Sequence, residues 1–97
     1  DIYPTLLGLC GLDSPGKLDG QDLRQMLEDP LHARTQPVLT TQRKRNNSVR
    51  SRRFRYTRYR NGDEELYDHL RDPWETRNLA AQAAFQPVKD QLRRLMP

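Results

Sequence analysis

Between residues 61 and 80 the chain reads Asn61-Gly62-Asp63-Glu64-Glu65-Leu66-Tyr67-Asp68-His69-Leu70-Arg71-Asp72-Pro73-Trp74-Glu75-Thr76-Arg77-Asn78-Leu79-Ala80. Asn-Gly is the dipeptide that most readily takes positive φ at both central positions of a type I′ turn, so this stretch predicts a two-residue hairpin. That turn sets Arg60 opposite Asp63, Arg58 opposite Glu65, Tyr56 opposite Tyr67 and Arg55 opposite Asp68. Three of these pairs are of opposite charge, each worth about 0.2–1 kcal/mol. A slip of one residue would lose them and turn every side chain to the other face. Asp72-Pro73 then halts the extended run, because proline fixes φ and lacks an N–H, and Asp before it favours a turn. Trp74, just past that turn, is expected to anchor against the sheet.

Working outward, Thr35 to Thr41 has β-branched character with Pro37 at an edge position, so it predicts a strand. A polar, basic turn from Gln42 to Asn47 leads to two further extended runs, Ser48–Arg52 and Phe54–Tyr59. With Glu64–His69 these make a four-stranded antiparallel meander. Downstream, Phe85, Val88, Leu92 and Leu95 follow the 3, 4, 3 spacing of one helical face, with Lys89, Arg93 and Arg94 elsewhere. One helix across one antiparallel sheet is a two-layer α+β fold. Upstream, Ile2, Leu6 and Leu9 mark a short helix that Asp1 can cap and Gly11 stops. A second short helix, with Leu23, Met26 and Leu27 on its face, opens after Asp19-Gly20 and ends at Asp29-Pro30. Residues 1–34 thus read as connecting helices and residues 35–97 as a sheet-plus-helix subdomain.

A chain of 97 residues allows one domain with a small core. Hydrophobic residues make up 34% and charged residues 31%, which is lean for an independent globule and reads better as a piece than as a whole. No apolar run approaches the roughly 18 residues of a membrane span, so no membrane partner is expected. No segment addresses the chain to a compartment. Cys10 is the one cysteine; it has no partner for an internal disulfide, and its apolar neighbours predict a small buried side chain.

Charge is strongly segregated. Nine of the 17 basic residues fall between Gln42 and Arg60, where there is no acidic residue, and the remaining eight face all 13 acidic ones. Guanidinium groups with interleaved Phe54, Tyr56 and Tyr59 suit sulfates, phosphates or stacked bases. The hairpin register supplies a carboxylate to Arg55, Arg58 and Arg60, which reads them as structural. Arg43, Lys44, Arg45 and Arg50 have no such local partner. With Asn46 and Asn47 beside them, Arg43, Arg45 and Arg50 are the candidate substrate-binding residues.

No catalytic constellation is visible. His32 and His69 stand apart in the sequence without ligands at metal-binding spacing. Ser14, Ser48 and Ser51 sit in no nucleophile elbow, and Glu64 and Glu65 alternate across a strand. The sequence therefore predicts no catalytic and no metal residue in this stretch.

Three blocks carry a family resemblance. Asp1-Ile2-Tyr3-Pro4-Thr5-Leu6-Leu7 with Cys10-Gly11-Leu12, then Leu18-Asp19-Gly20 with Asp22-Leu23, and finally Glu65-Leu66-Tyr67-Asp68 with Asp72-Pro73, Glu75 and Asn78-Leu79-Ala80 resemble, in order and spacing, the C-terminal segment of type I sulfatases. The likeness is strongest to the bacterial choline-sulfatase and iduronate-2-sulfatase-like branch. It implies the small C-terminal subdomain of an alkaline-phosphatase-like α/β enzyme, packed on the catalytic domain, with loops at the rim of the pocket for a sulfated anionic substrate. It also implies a formylglycine and a calcium ion in the parent enzyme, upstream of this stretch. The Cys/Ser-x-Pro-x-Arg motif that yields formylglycine is absent; Cys10 is followed by Gly11-Leu12-Asp13-Ser14, so no catalytic role is carried over. The competing reading is a free-standing basic module that binds nucleic acid or another polyanion, resting on a pI of about 9.6 and the arginine run.

Overall fold

The computed structural model describes residues 1–34 and 36–97. They form two compact units, Asp1–Thr35 and Gln36–Pro97. The predicted strand start at Thr35, and with it the expected boundary between residues 34 and 35, lies outside the described residues.

The second unit is the predicted two-layer α+β structure. Strands β1 (Val38–Gln42), β2 (Asn46–Arg50), β3 (Phe54–Arg58) and β4 (Glu64–Asp68) form an antiparallel sheet in sequence order. After a 3₁₀ turn at Ala83–Phe85, helix α3 (Gln86–Arg93) crosses one face. Alternation along the strands sends Val49, Tyr56 and Leu66 to that face, where they meet Leu92 and Ala80 in the core. Phe85, Val88 and Leu92 pack as their spacing predicts, but Leu95 is half exposed and Met96 packs in its stead. The helix ends at Arg93, so its period does not extend to Leu95. Lys89 and Arg93, off the apolar face by their spacing, reach Glu64, at 3.7 and 3.0 Å. The buried Tyr56 hydroxyl donates to the same carboxylate. Burial pushes Glu64 up, but the Tyr56 and Arg93 hydrogen bonds and both cations outweigh it and hold the group below the usual carboxylate range.

The hairpin register differs from the predicted one by one residue. Tyr56 pairs with Leu66, Thr57 with Glu65, Arg55 with Tyr67 and Arg58 with Glu64. The connection is a three-residue loop of Arg60, Asn61 and Gly62: the Gly62 N–H donates to the Tyr59 carbonyl (3.0 Å) and the Tyr59 N–H to the Asp63 carbonyl (2.9 Å). Gly62 alone takes positive φ, at 94°; this is a turn closed by a left-handed glycine rather than the type I′ pair. Asn61 explains the choice. Its side chain accepts from the Asp63 N–H (3.0 Å) and donates to the Asp63 carboxylate (2.9 Å), a local bond that fixes Asn61 outside the left-handed region.

The predicted charge pairs dissolve with that register. Asp68 is buried and receives the Arg53 Nε and Nη2, at 3.0 and 2.8 Å. Those bonds hold its carboxyl below the usual range. Arg55 turns to Glu75 at 3.1 Å, and Glu65 accepts from the Tyr59 and Tyr67 hydroxyls.

Beyond β4 the chain protects the outer edge of the sheet. The Asn78 side chain accepts from the Leu66 N–H (3.0 Å) and donates to the Glu64 carbonyl (3.2 Å), while the Leu79 N–H donates to the Leu66 carbonyl (2.8 Å). A side-chain amide here completes an edge that would otherwise stay open.

The first unit is held by polar contacts. Helix α1 (Ile2–Leu9) and helix α2 (Arg24–Glu28) are short. The Asp1 side chain caps nothing; it accepts from the Gln21 N–H and Arg34 Nη1, both at 2.7 Å. The buried Thr5 hydroxyl donates to the Asp1 carbonyl and accepts from the Leu23 N–H. Gly20 approaches so closely that a Cβ there would lie 2.2 Å from the Asp1 nitrogen. Meanwhile Ile2, Leu6 and Leu9 are exposed. Cys10, predicted to be buried, is exposed as well, because it caps the helix whose apolar side faces outward.

Candidate functional site

Gln42 pairs with Asn46, leaving Arg43, Lys44 and Arg45 as a tight loop. The turn is therefore shorter than the predicted Gln42–Asn47, and Asn46 and Asn47 open β2. Arg43 and Arg45 both lie in the left-handed region, at φ 57° and 71°, a strain of about 1 kcal/mol or more for each non-glycine residue. All three side chains are exposed, and among the described residues none makes a hydrogen bond or ion pair. The asparagines are committed: Asn46 Oδ1 accepts the Arg60 N–H (2.9 Å), and Asn47 Oδ1 accepts the Thr41 hydroxyl (2.8 Å). The fold thus gathers Arg43, Arg45, Asn46 and Asn47 at one end of the sheet. Arg50 is separated from them, four positions along β2 from Asn46, about 13 Å at the usual strand rise.

The sheet face opposite α3 is polar throughout β2 to β4. Ser48 faces Thr57 there, their hydroxyls 3.1 Å apart. Arg50 lies directly opposite Arg55, a like-charged pair that costs stability unless an anion intervenes. Glu75 answers only Arg55, and it also holds His69 Nε2 at 2.8 Å. Burial raises the Glu75 carboxyl, but the His69 and Arg55 hydrogen bonds outweigh it and leave it lowered. Between this face and Glu75 lies a shallow concavity of about 340 Å³, lined by Asn46, Ser48, Arg55, Tyr59, Tyr67 and others. Hydroxyls, amides and two tyrosines line it beside the Arg55 guanidinium and the Glu65 and Glu75 carboxylates, a polar surface with hydrogen-bonding groups for a polyol.

Among the described residues no group of three His, Cys, Asp or Glu side chains is placed to hold a metal ion. Ser48 and Ser51 are spent on Thr57 and on the Phe54 backbone. Among the described residues no such His, Cys, Asp or Glu group is placed to hold a calcium ion.

Trp74 is the residue whose placement the sequence misjudges most. It is 86% exposed and packs on nothing in the sheet.

No family model matches the chain. A sulfatase of Formosa agariphila is 34% identical over 96 residues, which is 99% of this chain and 19% of that protein. The chain resembles one segment of a sulfatase. A Delta 4,5-hexuronate-2-O-sulfatase of Bacteroides thetaiotaomicron is 30% identical over 105 residues, 99% of this chain and 22% of its own length. The solved structure of a 2-O GAG sulfatase superposes with a TM-score of 0.79 at 29% identity, covering 98% of this chain and 22% of that one. The chain therefore spans about one fifth of the length of the curated sulfatases it matches.

Proposed function

We propose that this chain is the C-terminal part of a sulfatase, a sulfuric ester hydrolase acting on a sulfated anionic sugar. The observation that carries the reading is the end-to-end match of 99% of the chain to a sulfatase five times its length. In this reading residues 1–34 connect to the catalytic domain and residues 35–97 form the terminal subdomain. The exposed apolar residues of α1 cover part of that larger domain, and formylglycine and calcium are held there, outside this stretch. The Arg43-Lys44-Arg45 turn contributes to the rim of the substrate pocket, because strained cationic residues on a rigid hairpin serve binding better than folding. Asn46 and Asn47 brace that turn, and Arg50 lies apart from it on the polar face.

The test compares two substrates in the longer enzyme. Arg45→Ala should raise KM for a sulfated oligosaccharide and leave turnover of p-nitrophenyl sulfate unchanged, the pattern of lost substrate-specific binding. The 97-residue chain alone should release no sulfate. Metal-dependent turnover by the isolated chain, or a longer enzyme that cleaves no sulfate ester, would defeat the reading. Tight, steeply salt-dependent binding of DNA by the isolated chain would favour the polyanion module instead.

A further inference from the structure

The loop after β4 has an unusual division of labour. Asp72 and Glu75 within it, and Asp68 at the end of β4, each spend their carboxylate on local partners. Asp68 holds Arg53. Asp72 accepts the Thr76 N–H (3.0 Å), the Thr76 hydroxyl (2.9 Å) and the Arg77 N–H (2.9 Å). Glu75 holds Arg55 and His69. Leu70 and Trp74 face outward, 73% and 86% exposed, and so do Arg71 and Arg77, both exposed and, among the described residues, without a side-chain hydrogen bond or ion pair.

The presentation is rigid. The Glu75 N–H donates to the Asp72 carbonyl (3.1 Å), closing a turn with Pro73 and Trp74 at its centre. Glu75 itself is held at φ 55°, a conformation kept only where surrounding contacts enforce it. The pinned backbone fixes where the Trp74 side chain leaves the turn, and its broad apolar face is left in water until something covers it.

We propose that this loop binds an anionic sugar unit: the Trp74 ring stacks on the apolar C–H face of a pyranose, and Arg71 and Arg77 take up its sulfate or carboxylate groups. An anionic sugar brings apolar face and negative charge together, matching what the loop presents. A protein surface would have to bring two carboxylates of its own to the same spot. The inference deepens the sulfatase reading and rests on it, adding a contact for a sugar beyond the one that is cleaved.

The test uses the full-length enzyme. Trp74→Ala should raise KM for a sulfated glycosaminoglycan tetrasaccharide about 5- to 10-fold, the range of one well-made aromatic contact. Its kcat, its KM for a monosaccharide sulfate and its melting temperature should stay unchanged, and Trp74→Phe should recover most of the loss. Arg71→Ala combined with Arg77→Ala should raise the same KM, by less as salt is added. An unchanged tetrasaccharide KM in Trp74→Ala overturns the proposal. So does a fall in melting temperature with equal losses on both substrates, which would make Trp74 an anchor on the rest of the enzyme. A wild-type enzyme that releases sulfate from no sugar overturns the sulfatase reading and this site with it, whereas normal sulfate release that ignores Trp74 overturns the site alone.

Discussion

Helices α1 and α3 carry similar apolar spacings and treat them in opposite ways. In α3, Leu92 is 5% exposed, and Val88, with Phe85 just before the helix, packs on the same core as Tyr56 and Leu66. In α1, Ile2, Leu6 and Leu9 are 78%, 52% and 60% exposed, while Thr5 is buried. Periodicity reports that a helix has an apolar side, not what that side faces. A sheet within reach gives α3 a partner, so its apolar side turns inward. The first unit meets α1 with polar groups, the Leu23 N–H on Thr5 and the Arg24 guanidinium on the Gly8 carbonyl, so a hydroxyl faces in while Ile2, Leu6 and Leu9 stay exposed.

The largest test of this contrast sets Leu66→Ala against Leu6→Ala. Leu66 is fully buried, and truncation there should cost about 2–5 kcal/mol. Leu6→Ala in the isolated chain should stay within about 0.5 kcal/mol, as exposed substitutions do. Urea titrations followed by circular dichroism read both values; comparable losses would abolish the contrast. If α1 packs on a larger domain as proposed, the same Leu6→Ala in the longer enzyme should become clearly destabilising.

Acid sharpens the difference between the units. In the second unit Asp68, Glu64, Glu75 and Asp72 are all held below the ordinary carboxylate range; in the first, Asp22 is lowered by the backbone N–H of Arg24, with its side chain adding to this against burial. A carboxyl lowered in the folded state binds fewer protons folded than unfolded. Its contribution is therefore complete above the unfolded value near pH 4 and is lost as pH falls through the lowered folded value. The urea midpoint of the second unit should decline from about pH 5 downward, and more gently in Asp68→Asn. An acid slope unaltered by that substitution would exclude Asp68 from the effect.

How much of this was legible follows from which interactions are local. The four strands, their order and the α3 face were readable because alternation and helical spacing are properties of neighbours in sequence. The register was misread by one residue because Asn-Gly serves both a two-residue and a three-residue loop, and the Asn61 side chain decides between them. The edge role of Asn78, the Arg53–Asp68 pair and the exposure of Trp74 depend on contacts across the fold, for which the sequence holds no periodic signal. Of the candidate residues, Arg43, Arg45, Asn46 and Asn47 gather because they are consecutive or nearly so. The separation of Arg50 follows from its position along β2, once Asn46 and Asn47 are known to belong to the strand.

The two hairpin turns supply the smallest effects and the finest discrimination. Gly62 and Arg45 each occupy the last position of a three-residue loop, at φ 94° and 71°. No heavy atom lies within 4 Å of where a Gly62 Cβ would stand, so Gly62→Val meets only backbone strain, at least about 1 kcal/mol. Coincident thermal melts would show that the turn does not depend on its glycine. At Arg45 the substitution runs the other way. Glycine there relieves the strain of a left-handed arginine but loosens the unfolded chain, for a net gain of less than about 1 kcal/mol. A turn selected for folding alone would already hold that glycine. If Arg45 is kept for its guanidinium, Arg45→Gly in the full-length enzyme should melt slightly higher and bind a sulfated oligosaccharide more weakly, a trade of function for stability. A variant that gains stability and keeps its oligosaccharide KM would remove the turn from the pocket rim, leaving Arg45 as a strained residue with no ligand to justify it.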